Sequence, residues 1–234
     1  MNAEIRRKLE MGFRALTFSR AHPDPSAGYQ TALARLEERI ARAETLATQQ
    51  RAGLIAVRSA TARKRELRGM LHHSMLDHVA RVAQVASREQ PELARKFRLP
   101  QDNSSYQAFR TAARAMAEEA QTQKELLVRH GLSEPVLDGL VKALGQFDEA
   151  VEQSASGKRA HVGAGAELAT VIQEIQQVVH VLDGLNRFRF GTDAENLAAW
   201  ESATNVLGPA HSNGEKPAPE DGSSPTGEQV RPAA

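Results

Sequence analysis

Residues 153–165 read QSASGKRAHVGAG, and this stretch decides how the helices of the chain connect. An apolar row at helical spacing precedes it: Leu137, Leu140, Leu144, Phe147 and Val151. A second row follows: Leu168, Ile172, Ile175, Val179, Leu182 and Leu185. If helix runs through, residues 133–190 form one rod that lies along all of 26–90, with 91–103 as a long crossover. If helix breaks at Ser156-Gly157, residues 164–190 turn back and complete an antiparallel four-helix bundle. Gly157, Gly163 and Gly165 each cost about 1 kcal/mol in a helix interior relative to Ala. The break is therefore the preferred reading.

Toward the N-terminus the same periodicity holds. Ile5, Leu9, Gly12, Phe13 and Leu16 form the row of a first helix, which His22-Pro23-Asp24-Pro25 stops, because proline is not tolerated in a helix interior. Ser26 is placed to cap the next helix. Its row runs through Tyr29, Leu33, Leu36, Ile40, Ala43, Ala47, Leu54 and Val57, weakens at RSATARKRELR (58–68), and resumes at Leu67, Leu71, Met75, Val79, Val82 and Val85. One helix over this span would be about 95 Å long, so a bend or break is expected near 58–69. Pro91 and Pro100 bracket a connection. Ser104 or Ser105 caps a helix with the row Tyr106, Phe109, Ala113, Met116, Ala120 and Leu127. His130-Gly131-Leu132 is a helix stop, since glycine takes the left-handed conformation there and Leu132 packs back. Ser133 and Pro135 start the helix that enters 153–165. Gly191-Thr192-Asp193 ends that helix and caps a last short one, which carries the single tryptophan, Trp200.

Composition agrees with an all-helical chain. Aromatics are 4% of the 234 residues and alanine supplies 38 of them, poor material for sheets. Cysteine is absent, which excludes disulfides, thiolate metal sites and a cysteine nucleophile. No apolar run approaches the roughly 20 residues of a membrane span, and MNAEIRRKLE has no signal-peptide apolar region; the expected location is the cytoplasm. In residues 211–234, Pro, Gly and Ser make up 10 of 24 positions, and Leu, Ile, Met and aromatics are missing. Such a stretch buries too little to order itself, so 208–234 is expected to be a disordered tail behind a single helical domain, 1–207.

The net charge of +1 excludes a strongly cationic nucleic-acid wrapper. Its distribution is uneven: residues 1–100 carry net +9 and residues 101–210 net −6. The simplest account is that the basic half packs on the acidic half. The alternative is a basic face for a polyanion. Arg51, Arg58 and Arg65 recur every seven residues and, with Arg68, form the best candidate for it.

Other constellations carry less. His72, His73, Asp77 and His78 lie close together, and His73 and Asp77 share a helix face at workable ligand spacing. No Glu-x-x-His or His-Glu-x-x-His accompanies them, and His78 falls on the apolar row, where a packed, hydrogen-bonded histidine is expected. No metal, cofactor or catalytic residue is assigned. VGAGAEL (162–168) lacks the third glycine and the Lys-Ser/Thr of a phosphate cradle. No Gly-x-Ser-x-Gly elbow is present, and Glu118-Glu119 and Asp148-Glu149 read as exposed helix charges.

Three segments carry a resemblance: FRLPQDNSSYQAFRTAARAMAEEA (97–120), VRHGLSEPVLDGL (128–140) and LDGLNRFRFGTDAENLAAWESATNVLGP (182–209). Together they resemble an uncharacterised bacterial all-helical family over roughly residues 30–209. The resemblance implies a helical fold, and neither an activity nor a site residue. The expected architecture is an elongated antiparallel bundle of about six or seven helices with a four-helix-bundle-like core. The expected function is that of a non-enzymatic helical interaction or scaffold protein, paired with a protein partner or with itself. The alternative is weak nucleic-acid binding through 51–68.

Overall fold

The computed structural model describes residues 2–207. The expected tail from 208 lies outside them. The described part is all α-helical: α1 (Ala3–Ala21), α2 (Ala27–Met70), a π-helical segment (Leu71–Leu76), α3 (Asp77–Ala86), α4 (Leu93–Lys96), α5 (Tyr106–Thr122), α6 (Lys124–Arg129), α7 (Glu134–Arg189) and α8 (Ala194–Thr204). No helix among these residues is long and apolar enough to cross a membrane.

The expected break at 153–165 does not occur. Helix α7 runs through all 56 of its residues, about 84 Å at 1.5 Å per residue, and lies antiparallel along α2. No break occurs near 58–69 either: helix is continuous from Ala27 to Ala86, with a π-helical segment inserted at Leu71–Leu76. Of the three glycines that argued for a break, Gly157 serves close approach of the backbones instead, while Gly163 faces open space. A Cβ on Gly157 would lie 3.1 Å from the Gly53 carbonyl oxygen and 3.1 Å from the Val57 amide nitrogen. The two backbones touch there, and tertiary contact overrides the intrinsic helix cost of glycine. His161 Nδ1–H donates to the Gln50 carbonyl at 2.9 Å across the same junction.

This close approach divides the interior in two. One core gathers Leu67, Leu71, Leu76, Val79, Phe97, Phe109, Leu127 and the first half of α7, through Ala150. The other gathers Leu9 to Phe18 of α1, Tyr29 to Leu46 of α2, Ala164 to Leu182 of α7, and Phe190 and Trp200. Between them, α2 and α7 form a bare two-helix neck. The bundle is elongated and antiparallel, as its patterning implies, but the long helices are shared by both ends and do not fold back to build one core.

Ion pairs and a hydrogen bond link the two long helices. Arg39 faces Glu174 at 3.1 Å, Arg42 pairs with Glu167, and Arg63 Nη2 donates to the Gln146 side chain at 3.3 Å. The basic half thus meets the acidic half, as the simpler account of the charges holds. Such partly exposed pairs contribute little energy each.

Helix ends fall where the sequence signals place them, although Ser26 and Ser133, at the N-cap positions of α2 and α7, make no side-chain cap hydrogen bond. Gly131 adopts φ 107°, and the Leu132 and Gly131 amides donate to the Leu127 and Val128 carbonyls at 2.9 and 3.1 Å, the glycine-terminated stop. Of the two serines proposed to cap α5, Ser105 does so, accepting from the Ala108 amide at 3.2 Å. Asp193 caps α8; the Asn196 backbone N–H on its carboxylate holds that group below the usual aspartate range.

Candidate functional site

The π-helical segment shifts the buried row by one residue. Leu71 and Leu76 are both fully buried, and their spacing of five fits one i→i+5 turn. Beyond it the core positions are Val79, Val82, Ala83 and Ala86. Met75 therefore only packs partly against the core, and Val85 is 48% exposed, which corrects the uninterrupted row read from the sequence. His78 is half-buried and, among the described residues, makes neither a hydrogen bond nor an ion pair, so the packed, hydrogen-bonded histidine expected there is not found.

The wider turn also brings His72 and His73 together. In an α-helix, neighbours point about 100° apart; here the two rings stand 4.6 Å apart, edge to face, with Nδ1 of one 3.2 Å from Nδ1 of the other. Against them lies the 97–105 connection, anchored by buried Phe97. His72 Nε2–H donates to the Pro100 carbonyl at 2.7 Å. Arg68 holds the next residues: its Nη2 donates to the Asp102 carbonyl at 2.6 Å and to Ser104 Oγ at 3.2 Å. The Arg68 guanidinium sits over the rings of Tyr106 and Phe109, at 5.5 and 4.9 Å. So held, Asp102 Oδ1 comes to 3.3 Å from His72 Nδ1 and 3.6 Å from His73 Nε2. One ligand atom from each of His72, His73 and Asp102 fits within 4.8 Å of the others.

The chain matches no family model, no curated protein and no solved structure.

Asp77, the partner that spacing assigns to His73, instead pairs with Arg81 at 2.8 Å. Asp102 takes its place from a different segment. The basic face also changes membership. Arg51, Arg58 and Arg65 are exposed and, among the described residues, form no ion pair or hydrogen bond. Arg68, read with them in the sequence, turns onto the 101–104 loop. Of the acidic pairs, Asp148 bridges Arg110 and Arg114, and Glu119 pairs with Lys96 at 2.8 Å. These carboxylates tie helices together and are not simply solvated charges. A Lys96 hydrogen bond holds the Glu119 carboxyl below its ordinary range.

Proposed function

We propose that this chain is a non-enzymatic helical scaffold that pairs with a second copy of itself through the C-terminal part of α7. The observation that carries this reading is a row of exposed apolar side chains: Val181 at 54%, Leu185 at 37% and Phe188 at 92% exposure. At spacings of four and three they share one helix face, and Gly184 lies on it too. The row is symmetric about the midpoint between Gly184 and Leu185. A two-fold axis there seats Phe188 of one copy against Val181 of the other, and Leu185 against Gly184. Bulky residues meet small ones on both sides of the axis, as a self-complementary interface requires. The charges beside the row are already paired within the chain: Arg187 with Asp183 and Glu201 at 2.9 and 3.0 Å, and Arg189 with Asp24 at 3.7 Å. Burial of each large apolar side chain contributes roughly 1.5–3 kcal/mol. Native mass spectrometry and light scattering between about 1 and 100 μM should find a dimer. Phe188→Asp should return it to monomer with unchanged helicity and a melting temperature that no longer depends on concentration. A wild-type chain that stays monomeric, or a Phe188→Asp chain that stays dimeric, removes the proposal.

A second reading rests on the unpaired Arg51, Arg58 and Arg65. At 1.5 Å per residue they stand about 10 Å apart along one side of α2. Three phosphate contacts predict that log K for duplex DNA falls against log salt with a slope near −2.7. Arg58→Glu with Arg65→Glu should abolish binding in a fluorescence-anisotropy titration. Salt-insensitive binding, or none at low salt, discards this reading.

A further inference from the structure

We propose that His72 Nδ1, His73 Nε2 and Asp102 Oδ1 bind a divalent transition-metal ion of the zinc type, which staples the 100–104 connection to the π-helical segment. The argument begins with protons. A carbonyl oxygen only accepts, so the 2.7 Å contact to Pro100 assigns the ring hydrogen of neutral His72 to Nε2. Its Nδ1 is then a lone pair, and it faces a carboxylate oxygen at 3.3 Å and His73 Nδ1 at 3.2 Å. Neutral His73 brings one hydrogen. If Nδ1 carries it and donates to His72, Nε2 confronts Asp102 Oδ1 as a second acceptor. If Nε2 carries it, the two Nδ1 lone pairs confront one another. In either arrangement His72 Nδ1 meets the carboxylate acceptor to acceptor. A cation bound by His72 Nδ1 and Asp102 Oδ1 removes the conflict common to both arrangements, and the exposed His73 ring turns its Nε2 onto the same ion.

The histidine–carboxylate spacing suits such an ion. Nitrogen and oxygen ligands at 2.0–2.1 Å from a tetrahedral zinc stand about 3.3–3.4 Å apart; the observed histidine–carboxylate separations are 3.3 and 3.6 Å. Two imidazoles and one carboxylate suit zinc and its neighbours in the first transition row and not magnesium or calcium, which take oxygen ligands. The surroundings are those of a held ligand set. The Pro100 carbonyl fixes the His72 ring and its tautomer, the usual outer partner of a ligating histidine. Arg68 fixes the backbone of Asp102. His72 is only 12% exposed, whereas His73 and Asp102 are 65% and 69% exposed. An ion therefore enters from solvent against a rigid inner ligand, and the fourth position points to water.

The test is equilibrium dialysis of the untagged, chelator-stripped chain against zinc, read by elemental analysis and by the thermal midpoint. The expected result is one zinc per chain and a midpoint raised by saturating zinc. His73→Gln and Asp102→Asn should each weaken affinity at least about tenfold with unchanged helicity, because both side chains are exposed and neither supports a core. Asp77→Asn should bind as the wild type does, which separates this ligand set from the His73–Asp77 pair. Substoichiometric zinc in the wild type, or affinity indifferent to His73→Gln and Asp102→Asn, overturns the proposal.

Discussion

Trp200→Ala is expected to cost about 3–5 kcal/mol, the range for removing a large buried aromatic, and to lower the melting temperature by roughly 6–20 °C. Trp200 is fully buried. Its ring lies 5.3 Å from that of Phe18, which in turn stacks on His22 at 4.2 Å and meets Phe190 edge-on at 5.9 Å. The indole Nε1–H donates to Asp183 Oδ1 at 2.8 Å. The residue joins α1, α7 and α8, and no other large side chain of α8 is buried in that core. Trp200→Phe keeps most of the apolar volume and leaves Asp183 paired with Arg187, so its loss should be markedly smaller. Hydrogen exchange adds a spatial reading. Because the Trp200 core and the Phe109–Phe147 core are separate, protection should fall in α1, α8 and the second half of α7 while α5 and α6 keep theirs. An equal loss in α5 and α6 would mean that the neck transmits cooperativity between the ends.

Most helix ends were legible in the sequence, because their signals are local, though the single helix read from Ser105 to His130 divides at Gln123 into α5 and α6. The prolines after Ala21, the Gly131 stop, the Ser105 cap and the Asp193 cap each act within one turn, and each stands where the pattern put it. The path of the long helices was not legible. Gly157 costs the same in an isolated helix whether or not Gly53 lies opposite, and that pairing joins residues more than a hundred apart. The polar stretch 58–68 likewise read as a weakened helix. It is a largely solvated one, in which Ala60 and Leu67 are the buried residues.

The candidate metal ligands show the same division. His72 and His73 drew notice as a pair, but the α-helical rule of three and four linked His73 to Asp77. That rule fails where one residue is inserted into the turn. The buried Leu71 and Leu76, five apart, are the sequence trace of the insertion; a strict helical count goes from Leu71 to Met75 and passes over Leu76. Asp102 had no signal beyond its place in a polar loop, because what aims it is Arg68, a residue that the run of basic side chains assigned to a different role. The two errors have one cause: a long-range contact recruited a side chain that its neighbours in sequence also explained.

Gly53→Val is expected to destabilise the chain by about 3 kcal/mol, and Gly163→Ala to stabilise it by up to about 1 kcal/mol. Both glycines lie inside long helices near the crossing, so intrinsic propensity alone predicts a gain at each. The surroundings give them opposite signs. A Cβ on Gly53 would lie 2.7 Å from the His161 nitrogen, 3.0 Å from the Gly157 oxygen and 3.1 Å from the His161 Cα. All three are backbone atoms of α7 and cannot yield as a side-chain end can. Relief requires the helices to part, which stretches the His161–Gln50 hydrogen bond and exposes the neck. A Cβ on Gly163 meets nothing within 4 Å, so alanine there only removes the entropic cost of glycine. Chemical denaturation of the two variants measures both signs, and amide exchange around 50–57 and 157–161 shows whether the loss is local. If both variants gain stability, the helices do not touch at Gly53 and Gly157, and the glycines of 153–165 return to the role of a hinge. If Gly53→Val alone loses it, with faster exchange confined to the neck, the contact that joins the two ends runs through a single pair of glycines.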